Sequence, residues 1–382
     1  MNMVHRLGSG ALPRWTHPAA WWAWALGLVA CVSRTTNPIL LALIVAVAGW
    51  VVARRRPDAP WANSFALFLR LGLVVIAIRM FVAMLFSGGL GDNVLFTLPS
   101  VQLPSWAAGI TLGGPVTAES LVAAFYEGAV IAAILACIGA ANSLASPARL
   151  LAAIPAALYE VGVSVVVALS FAPQLVADVG RVRTARRLRG RPDRGIRALG
   201  GSAMPVFEGA LERAVDLAAA MDSRGYGRTR PMSRRDQITA RALIICSLIA
   251  LTIGVYALVD GVDGGWTTWL VIFGGVLAAM VGLKIAGRRS IRTRYRPDPW
   301  ALPEWLVAAS GWIPAAVFIT LGITDPLSLQ SQTSPLDWPA LPVIPALSVL
   351  IATLPGIVTP VPPGAGESFG VPAEPRRQEV LT

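Results

Sequence analysis

The sequence predicts an all-α, polytopic membrane protein with about six to eight transmembrane helices and a cytoplasmic module of amphipathic helices. First, the 382 residues are 55% apolar and 14% charged, with a mean hydropathy of +0.63, whereas soluble domains carry about 25% charged residues. Second, several apolar runs reach the roughly 20 residues that a helix needs to cross a bilayer. Third, the arginines cluster between these runs, which is typical of cytoplasmic loops.

Composition narrows the classes of function. The net charge is +11, and Lys284 is the only lysine. Arginines confined between apolar runs mark membrane topology, so we predict contact with the lipid bilayer and no nucleic-acid partner. The three cysteines stand singly in apolar runs, which argues against a disulfide framework. With His5 and His17 as the two histidines, we predict no metal site and no catalytic triad.

Residues 1–141 are predicted to hold four membrane helices. Their expected spans are Ala19–Ser33, Pro38–Ala53, Phe65–Phe86 and Ala118–Ala141. Trp21, Trp22 and Trp24 in the first are typical of a membrane boundary. Arg54, Arg55 and Arg56 place the loop after the second helix inside, so the loop 87–117, which has no Lys or Arg, lies outside. Cys31 ends a run that resembles a lipoprotein cleavage box; the alternative is simply the end of a helix.

Residues 142–236 are predicted to stay in the cytoplasm. They carry fifteen arginines and one apolar segment, Val161–Ala172. If that segment crossed the membrane, the arginines of 181–197 would lie outside, against the distribution of positive charge in membrane proteins. We therefore interpret this stretch as a module of helices with an apolar, membrane-facing surface.

The remaining residues complete the predicted topology. Residues 237–290 hold two membrane helices, Ile238–Val259 and Trp266–Ile285, and residues 291–360 hold two weaker ones, Trp305–Ile323 and Leu341–Val358. The tail, 361–382, is rich in Pro, Gly and Glu and is predicted to be disordered. The alternation of charge places both termini in the cytoplasm of a bacterial inner membrane.

The cytoplasmic module contains a repeated motif. We predict three helices in it, the first starting at Ser146-Pro147, the second at Tyr159–Arg189 and the third at Met204–Arg224. The second and third end alike, in Ala-x-x-x-Arg-Gly, with a spacing of 35 residues between the copies. The motif residues are Ala185, Arg189 and Gly190 in one helix and Ala220, Arg224 and Gly225 in the other.

Two interpretations of the motif compete. Each copy could be an ordinary helix end, where an arginine stabilises the helix dipole. Alternatively, the small alanine lets a partner approach and the arginine, one turn away on the same face, supplies a forked donor. Because two copies occur on adjacent amphipathic helices, we favour a docking surface for a protein partner.

These residues resemble the T component of energy-coupling factor (ECF) transporters, the cobalt-transport-protein-like transmembrane family. The resemblance covers about residues 30–260. It is carried by Asn37-Pro38, Ser146 to Leu151, Ala168 to Pro173, Ala185 to Gly190 and Ala220 to Tyr226. Ser170 stands where the family often has arginine, which puts any role of that position in doubt. Residues after about 290 lie outside the resemblance.

The resemblance implies a division of labour between subunits. Arg189 and Arg224 would each dock into one of two ABC-type ATPase subunits, which bind the ATP, and the crossed helices would hold a small substrate-binding membrane subunit. The cargo would be a vitamin or a transition-metal ion. The chain itself would be no enzyme and would hold no cofactor, since the sequence has no Gly-x-x-x-x-Gly-Lys-Ser/Thr motif.

Two other functions stay open from the residues alone. A self-sufficient secondary transporter usually shows inverted repeats and broken membrane helices, whereas the repeat found here lies in the predicted cytoplasmic module. A membrane-embedded enzyme would need clustered catalytic groups, for which the sequence offers few histidines or grouped carboxylates.

One charged pair is expected inside the membrane. Arg79 and Glu127 lie roughly 7 to 9 residues from the outer ends of their helices, or about 11–13 Å at 1.5 Å per residue. Because a lone charge in lipid is costly, we predict that they pair, either as a structural lock between two helices or as a functional site.

Overall fold

A computed structural model describes residues 15–57, 63–86, 91–102, 111–153, 156–190, 196–226, 231–259, 266–289, 300–333 and 336–360. Its helices are α1 (Pro18–Val32), α2 (Pro38–Arg55), α3 (Ser64–Leu85), α4 (Ala118–Leu144), α5 (Pro147–Ala152), α6 (Tyr159–Leu188), α7 (Ile196–Ser223), α8 (Arg234–Val259), α9 (Trp266–Gly287), α10 (Leu302–Thr324), α11 (Val343–Ile351) and α12 (Pro355–Val358). Short 3-10 helices lie at Ala156–Leu158 and Pro326–Leu329. The tail 361–382, predicted to be disordered, lies outside the described residues.

The predicted fold class is confirmed. Among the described residues, seven helices are long and apolar enough to cross a bilayer, judged by length and composition: α2, α3, α4, α8, α9, α10 and the part of α6 from Val161 to Leu188. The helix α1 and the stretch Val343–Val358, both predicted to span, are shorter apolar helices. Since α6 meets the same criteria as the spans, the cytoplasmic placement of residues 142–236 stays a prediction.

Several helices begin where the sequence predicts because local caps fix their first turn. Asn37 Oδ1 accepts a hydrogen bond from Ile39 N at 3.0 Å, and Pro38 occupies the first helical position of α2. Thr117 caps α4 in the same way, with its hydroxyl accepting from Ser120 N at 3.3 Å. These contacts satisfy backbone N–H groups that have no partner within a helix.

The chain divides into two compact units. Unit 1 comprises Met1–Leu150 and Asp298–Thr382, and unit 2 comprises Leu151–Pro297. Unit 1 thus joins the N-terminal membrane helices to α10, α11 and α12, which come from the far end of the chain. Its hydrophobic core is built from α1, α2 and α4 together with these C-terminal helices.

In unit 1 the C-terminal helices pack tightly on α1 and α2. A side chain at Gly27 would collide with the backbone of Gly311, so α1 and α10 cross at contact distance. Trp24 is fully buried and its Nε1 donates to Ala352 O at 3.1 Å. Asn37 Nδ2 donates to Ala340 O at 2.7 Å. Described residues between Val307 and Ala352 are therefore part of the core of unit 1.

Two tryptophans of α1 are buried inside unit 1, since 5% of Trp21 and 0% of Trp24 is exposed. Their position at a membrane boundary stays a prediction. Their rings pack edge to face with centroids 6.3 Å apart. Trp22 is partly buried and packs against the same core. The indole rings of these residues pack in the hydrophobic core because α10 covers α1.

The loop 87–117 contains a β-hairpin that the sequence analysis did not predict. Strands β1 (Val94–Gln102) and β2 (Thr111–Thr117) pair antiparallel, with irregular register between Leu98 and Val101. Glu119, at the start of α4, anchors the hairpin by accepting from Asn93 Nδ2 at 2.6 Å. The hairpin is thus joined directly to the first turn of α4.

Unit 2 contains two helix pairs. The helices α8 and α9 approach closely at glycines, since a Cβ at Gly282 would lie 3.1 Å from Ile244 Cγ1 and one at Gly275 would lie 3.2 Å from Ala250 Cβ. The other pair, α6 and α7, carries the repeated motif. Whereas Met204 was predicted to start the third helix of the module, α7 begins eight residues earlier, at Ile196.

Candidate functional site

The two copies of the motif form helix ends of the same type. In α7, Tyr226 N donates to Met221 O at 3.0 Å and Gly225 N to Asp222 O at 2.9 Å. Gly225 has a positive φ of 76°. This is a Schellman motif, in which a left-handed glycine reverses the chain and satisfies carbonyls of the last turn.

The end of α6 shows the matching half of that geometry. Gly190 has a φ of 70°, and its N–H donates to Arg187 O at 3.0 Å. Arg189 is the capping residue of α6, as Arg224 is of α7, since each directly precedes its left-handed glycine. A residue with a Cβ is strained at such φ values. The glycines therefore fix the point at which each helix stops.

The motif side chains face away from the rest of unit 2. Ala185, Arg189, Ala220 and Arg224 are all exposed. Leu188, between Ala185 and Gly190, is 84% exposed. Each helix thus presents an arginine and a small residue at a blunt, accessible end. We call these two ends the coupling tips, after the docking role predicted from the sequence: Ala185–Gly190 and Ala220–Gly225.

The two coupling tips differ in charge. The last turn of α6 adds Arg186 and Arg187 to Arg189, whereas α7 carries Asp222 next to Arg224. Cationic side chains complement the partial negative charge at a helix C-terminus. A partner for the first tip therefore meets a more strongly positive surface than a partner for the second.

Apolar side chains on α6 and α7 are also unusually exposed. The exposed fractions are 73% for Val176, 72% for Met204, 67% for Phe207 and 57% for Leu211. Contiguous apolar surface of this kind marks contact with a membrane or another protein.

An ion pair that the sequence analysis missed joins the two helices. The carboxylate of Asp178 in α6 accepts from Arg213 in α7 and from Arg181 one turn further along α6. Only 8% of the Asp178 side chain is exposed, while 33% of the Arg213 side chain is. The spacing of the repeat could have predicted this pair, because Asp178 and Arg213 are 35 residues apart, as Arg189 and Arg224 are.

The structure places the predicted intramembrane pair together. The guanidinium of Arg79 in α3 contacts the carboxylate of Glu127 in α4. The helices can approach here because Gly128 has no side chain; a Cβ there would lie 3.1 Å from Ile76 Cα. About half of each charged side chain is exposed at the surface of unit 1.

Two further positions concern the sequence predictions. The Ser170 hydroxyl donates to Val167 O at 2.7 Å within α6, so it serves its own helix in this arrangement. Within the part of the chain that the structure describes, no three His, Cys, Asp or Glu side chains are grouped as metal ligands.

Comparison with known proteins assigns this sequence to a family. Residues 14–234, more than half of the chain, match the model of the cobalt transport protein family, CbiQ. The matched segment contains both coupling tips and the Asp178–Arg213 pair.

Two curated relatives carry the same name, energy-coupling factor transporter transmembrane protein EcfT. The protein from Lactococcus lactis subsp. cremoris is 33% identical over 107 residues, which cover 25% of this chain and 40% of the relative. That from Leuconostoc gelidum subsp. gasicomitatum is 34% identical over 92 residues, covering 22% of this chain and 34% of the relative. The chain thus matches less than half the length of either relative. From the family match and its apolar helices, the chain is a multi-pass membrane protein that belongs to the CbiQ cobalt transport protein family.

Proposed function

We propose that this chain is the transmembrane coupling subunit of an ATP-driven ECF-type uptake transporter for a vitamin or a transition-metal ion. The observation that carries the proposal is the pair of coupling tips, two exposed and similarly capped helix ends with an arginine at each. Two tips suit two ATPase subunits of the same kind. The names of the two relatives support the same assignment.

The exposed apolar faces of α6 and α7 supply the second element of the proposal. A small membrane protein that binds the substrate docks on these faces at the level of the bilayer, where burying side chains such as Phe207 and Met204 stabilises the complex. The ends of both helices that bear Arg189 and Arg224 lie in the cytoplasm, and both termini of the chain lie there too.

The mechanism follows from connecting the tips to the platform. ATP binding closes the two ATPases, and each carries one coupling tip with it because Arg189 or Arg224 is held in a groove of that subunit. The helices transmit this displacement to the substrate-binding subunit. Its reorientation opens the bound cargo to the cytoplasm. ATP is bound by the partner subunits, and this chain performs no chemical step.

The proposal is tested by removing both tip charges. We expect Arg189→Gln combined with Arg224→Gln to abolish ATP-dependent uptake in proteoliposomes containing the whole transporter. The matched control is Arg288→Gln with Arg289→Gln, which removes two exposed arginines directly after α9. The control should retain uptake. Membrane accumulation should be the same for both variants.

Two results would overturn the proposal. One is wild-type uptake by the tip variant in the presence of both ATPases. The other is substrate transport by the purified chain alone in vesicles, which would indicate a secondary transporter.

A further inference from the structure

The Asp178–Arg213 ion pair occupies a special position relative to the coupling tips. Asp178 precedes Arg189 by eleven residues in α6, and Arg213 precedes Arg224 by eleven in α7. At 1.5 Å per residue, each tip is therefore about 16 Å of helix from the pair. The pair thus joins equivalent points of the two repeats.

A second contact between α6 and α7 lies near the first tip. The guanidinium of Arg186 lies against Gly201 near the start of α7, which ties the first tip to the beginning of the next helix. The side chains that flank the ion pair are largely exposed, with 73% for Val176 and 57% for Leu211. Among the described residues, Asp178 is the buried side chain that contacts arginines of both helices, Arg181 of α6 and Arg213 of α7.

The Asp178 carboxylate is suited to hold α6 and α7 in a fixed arrangement. Asp178 is 6% exposed as a residue, and its two oxygens are divided between Arg181 and Arg213. Moving Arg213 away leaves Asp178 paired with Arg181 alone and removes the charge-assisted contact between the two helices, which is unfavourable. A rotation of the helices about this contact keeps the charges together, whereas a displacement of one helix along the other separates them.

We propose that Asp178 and Arg213 form the fulcrum of the coupling helices, a charged pivot with equal arms that makes the two tips move together. They are positioning residues and act through Arg189 and Arg224. This inference rests on the proposed function, since it assigns the fulcrum to the motion that the ATPases impose. Equal arms convert symmetrical closure of two like ATPases into rotation about one point.

The test measures the separation of the tips directly. Spin labels at Thr184→Cys and Ala219→Cys, equivalent exposed positions directly before the two tips, report this separation by pulsed electron paramagnetic resonance. Cys246, which is exposed, is replaced by serine, while Cys31 and Cys137 are buried and stay. The chain is measured in nanodiscs, both alone and in the complete transporter with and without trapped ATP.

We expect a narrow distribution of distances in the parent protein and a broad one in Asp178→Asn and in Arg213→Gln. Uptake per ATP hydrolysed should fall by at least about tenfold in each, since the charge-assisted contact between α6 and α7 is lost. The swapped variant, Asp178→Arg with Arg213→Asp, should restore the narrow distribution and the uptake. Arg181 can accommodate the swap because its side chain is 74% exposed. The control Asp216→Asn removes an exposed acid of α7 and should behave like the parent.

A narrow distribution and normal coupling in the single variants would overturn the fulcrum. Should a single variant fail to accumulate, the swap decides by itself: a narrow distribution supports the pivot, and a broad one contradicts it. The measurement on the chain alone separates this inference from the proposed function. If ATPases never bind the chain, the proposed function fails, while the distances still report whether the pair holds the helices.

Discussion

Unit 1 contains a hydrophobic core, whereas the described part of unit 2 buries almost no large apolar side chain. In unit 1, side chains such as Leu28, Ile44 and Phe318 are fully buried among the unit's own helices. In unit 2, the one buried hydrophobic residue among those described is Ala240, while Phe207 and Met204 are mostly exposed. Unit 1 therefore has its own core, although its helix α3 stays largely exposed, whereas nearly all the large apolar side chains described in unit 2 are left for lipid or a partner to cover.

The difference extends to charged residues. Arg79 of unit 1 is paired with Glu127 on a neighbouring helix, whereas the tip residues Arg189 and Arg224 of unit 2 are exposed at helix ends. The exception in unit 2 is Asp178, which is buried between Arg181 and Arg213. Unit 2 thus holds one buried ion pair between α6 and α7 and has its tip arginines on the outside.

The sharpest way to break this comparison is to truncate one phenylalanine in each unit. Phe318→Ala in α10 should destabilise the protein by about 3–5 kcal/mol, because it leaves a cavity in a packed core. Phe207→Ala in α7 should change stability by less than about 0.5 kcal/mol, since its side chain is 67% exposed. Thermal unfolding of the isolated chain in detergent measures both.

The same two variants also separate folding from assembly. Phe207→Ala should reduce co-purification of the substrate-binding subunit although the chain unfolds at its normal temperature. Equal destabilisation by both variants would show that unit 2 has a self-sufficient core, contrary to the comparison.

Much of the helical layout could be predicted from sequence because its causes are local. Apolar runs of sufficient length and caps such as Asn37-Pro38 act over a few residues. The coupling tips were predictable for the same reason, since Ala220, Arg224 and Gly225 lie within one and a half turns of one helix.

What sequence could not supply depends on distant residues. The start of α7 was predicted too late because Gly201 and Pro205 disfavour a helix, yet Gly201 leaves room for Arg186 of α6. The hairpin was missed because its strands include Pro99 and two glycines of positive φ, Gly113 and Gly114, which indicate loops.

The Asp178–Arg213 link and the role of the C-terminal helices belong to the same class. As single residues, Asp178 and Arg213 resemble ordinary surface charges, and only their partners make them structural. Likewise, the weak apolar runs after residue 290 gain their role from contacts such as Trp24 with Ala352, 328 residues away in the chain. Patterns within one segment carry no information about such pairing.

A second prediction concerns the charges of the two units. Arg79→Glu places two acids together in α3 and α4, and we expect it to destabilise insertion by about 3 kcal/mol, the cost of a lone charge within a membrane helix. The swap Arg79→Glu with Glu127→Arg should recover most of this loss. Arg224→Glu, at an exposed tip, should leave insertion unchanged and impair only uptake. Protein accumulated in the membrane, measured for all three, distinguishes these outcomes, and a swap no better than the single variant would argue against pairing.

The smallest expected effect comes from adding one methyl group to a glycine in each unit. Gly27→Ala should destabilise the chain by about 1–3 kcal/mol, because the new Cβ collides with the backbone of Gly311 and forces α1 and α10 apart. A Cβ at Gly180 in α6 would meet no atom within 4 Å. Because alanine is the better helix former, Gly180→Ala should raise the stability of the chain by about 0.5–1 kcal/mol. The midpoints of thermal unfolding in detergent should therefore move in opposite directions.

If Gly180→Ala instead lowers uptake while raising the midpoint, its surface is covered by a partner in the transporter. Equal losses of stability at both positions would mean that unit 2 is packed as closely as unit 1, and the distinction between scaffold and exposed coupling surface would fail.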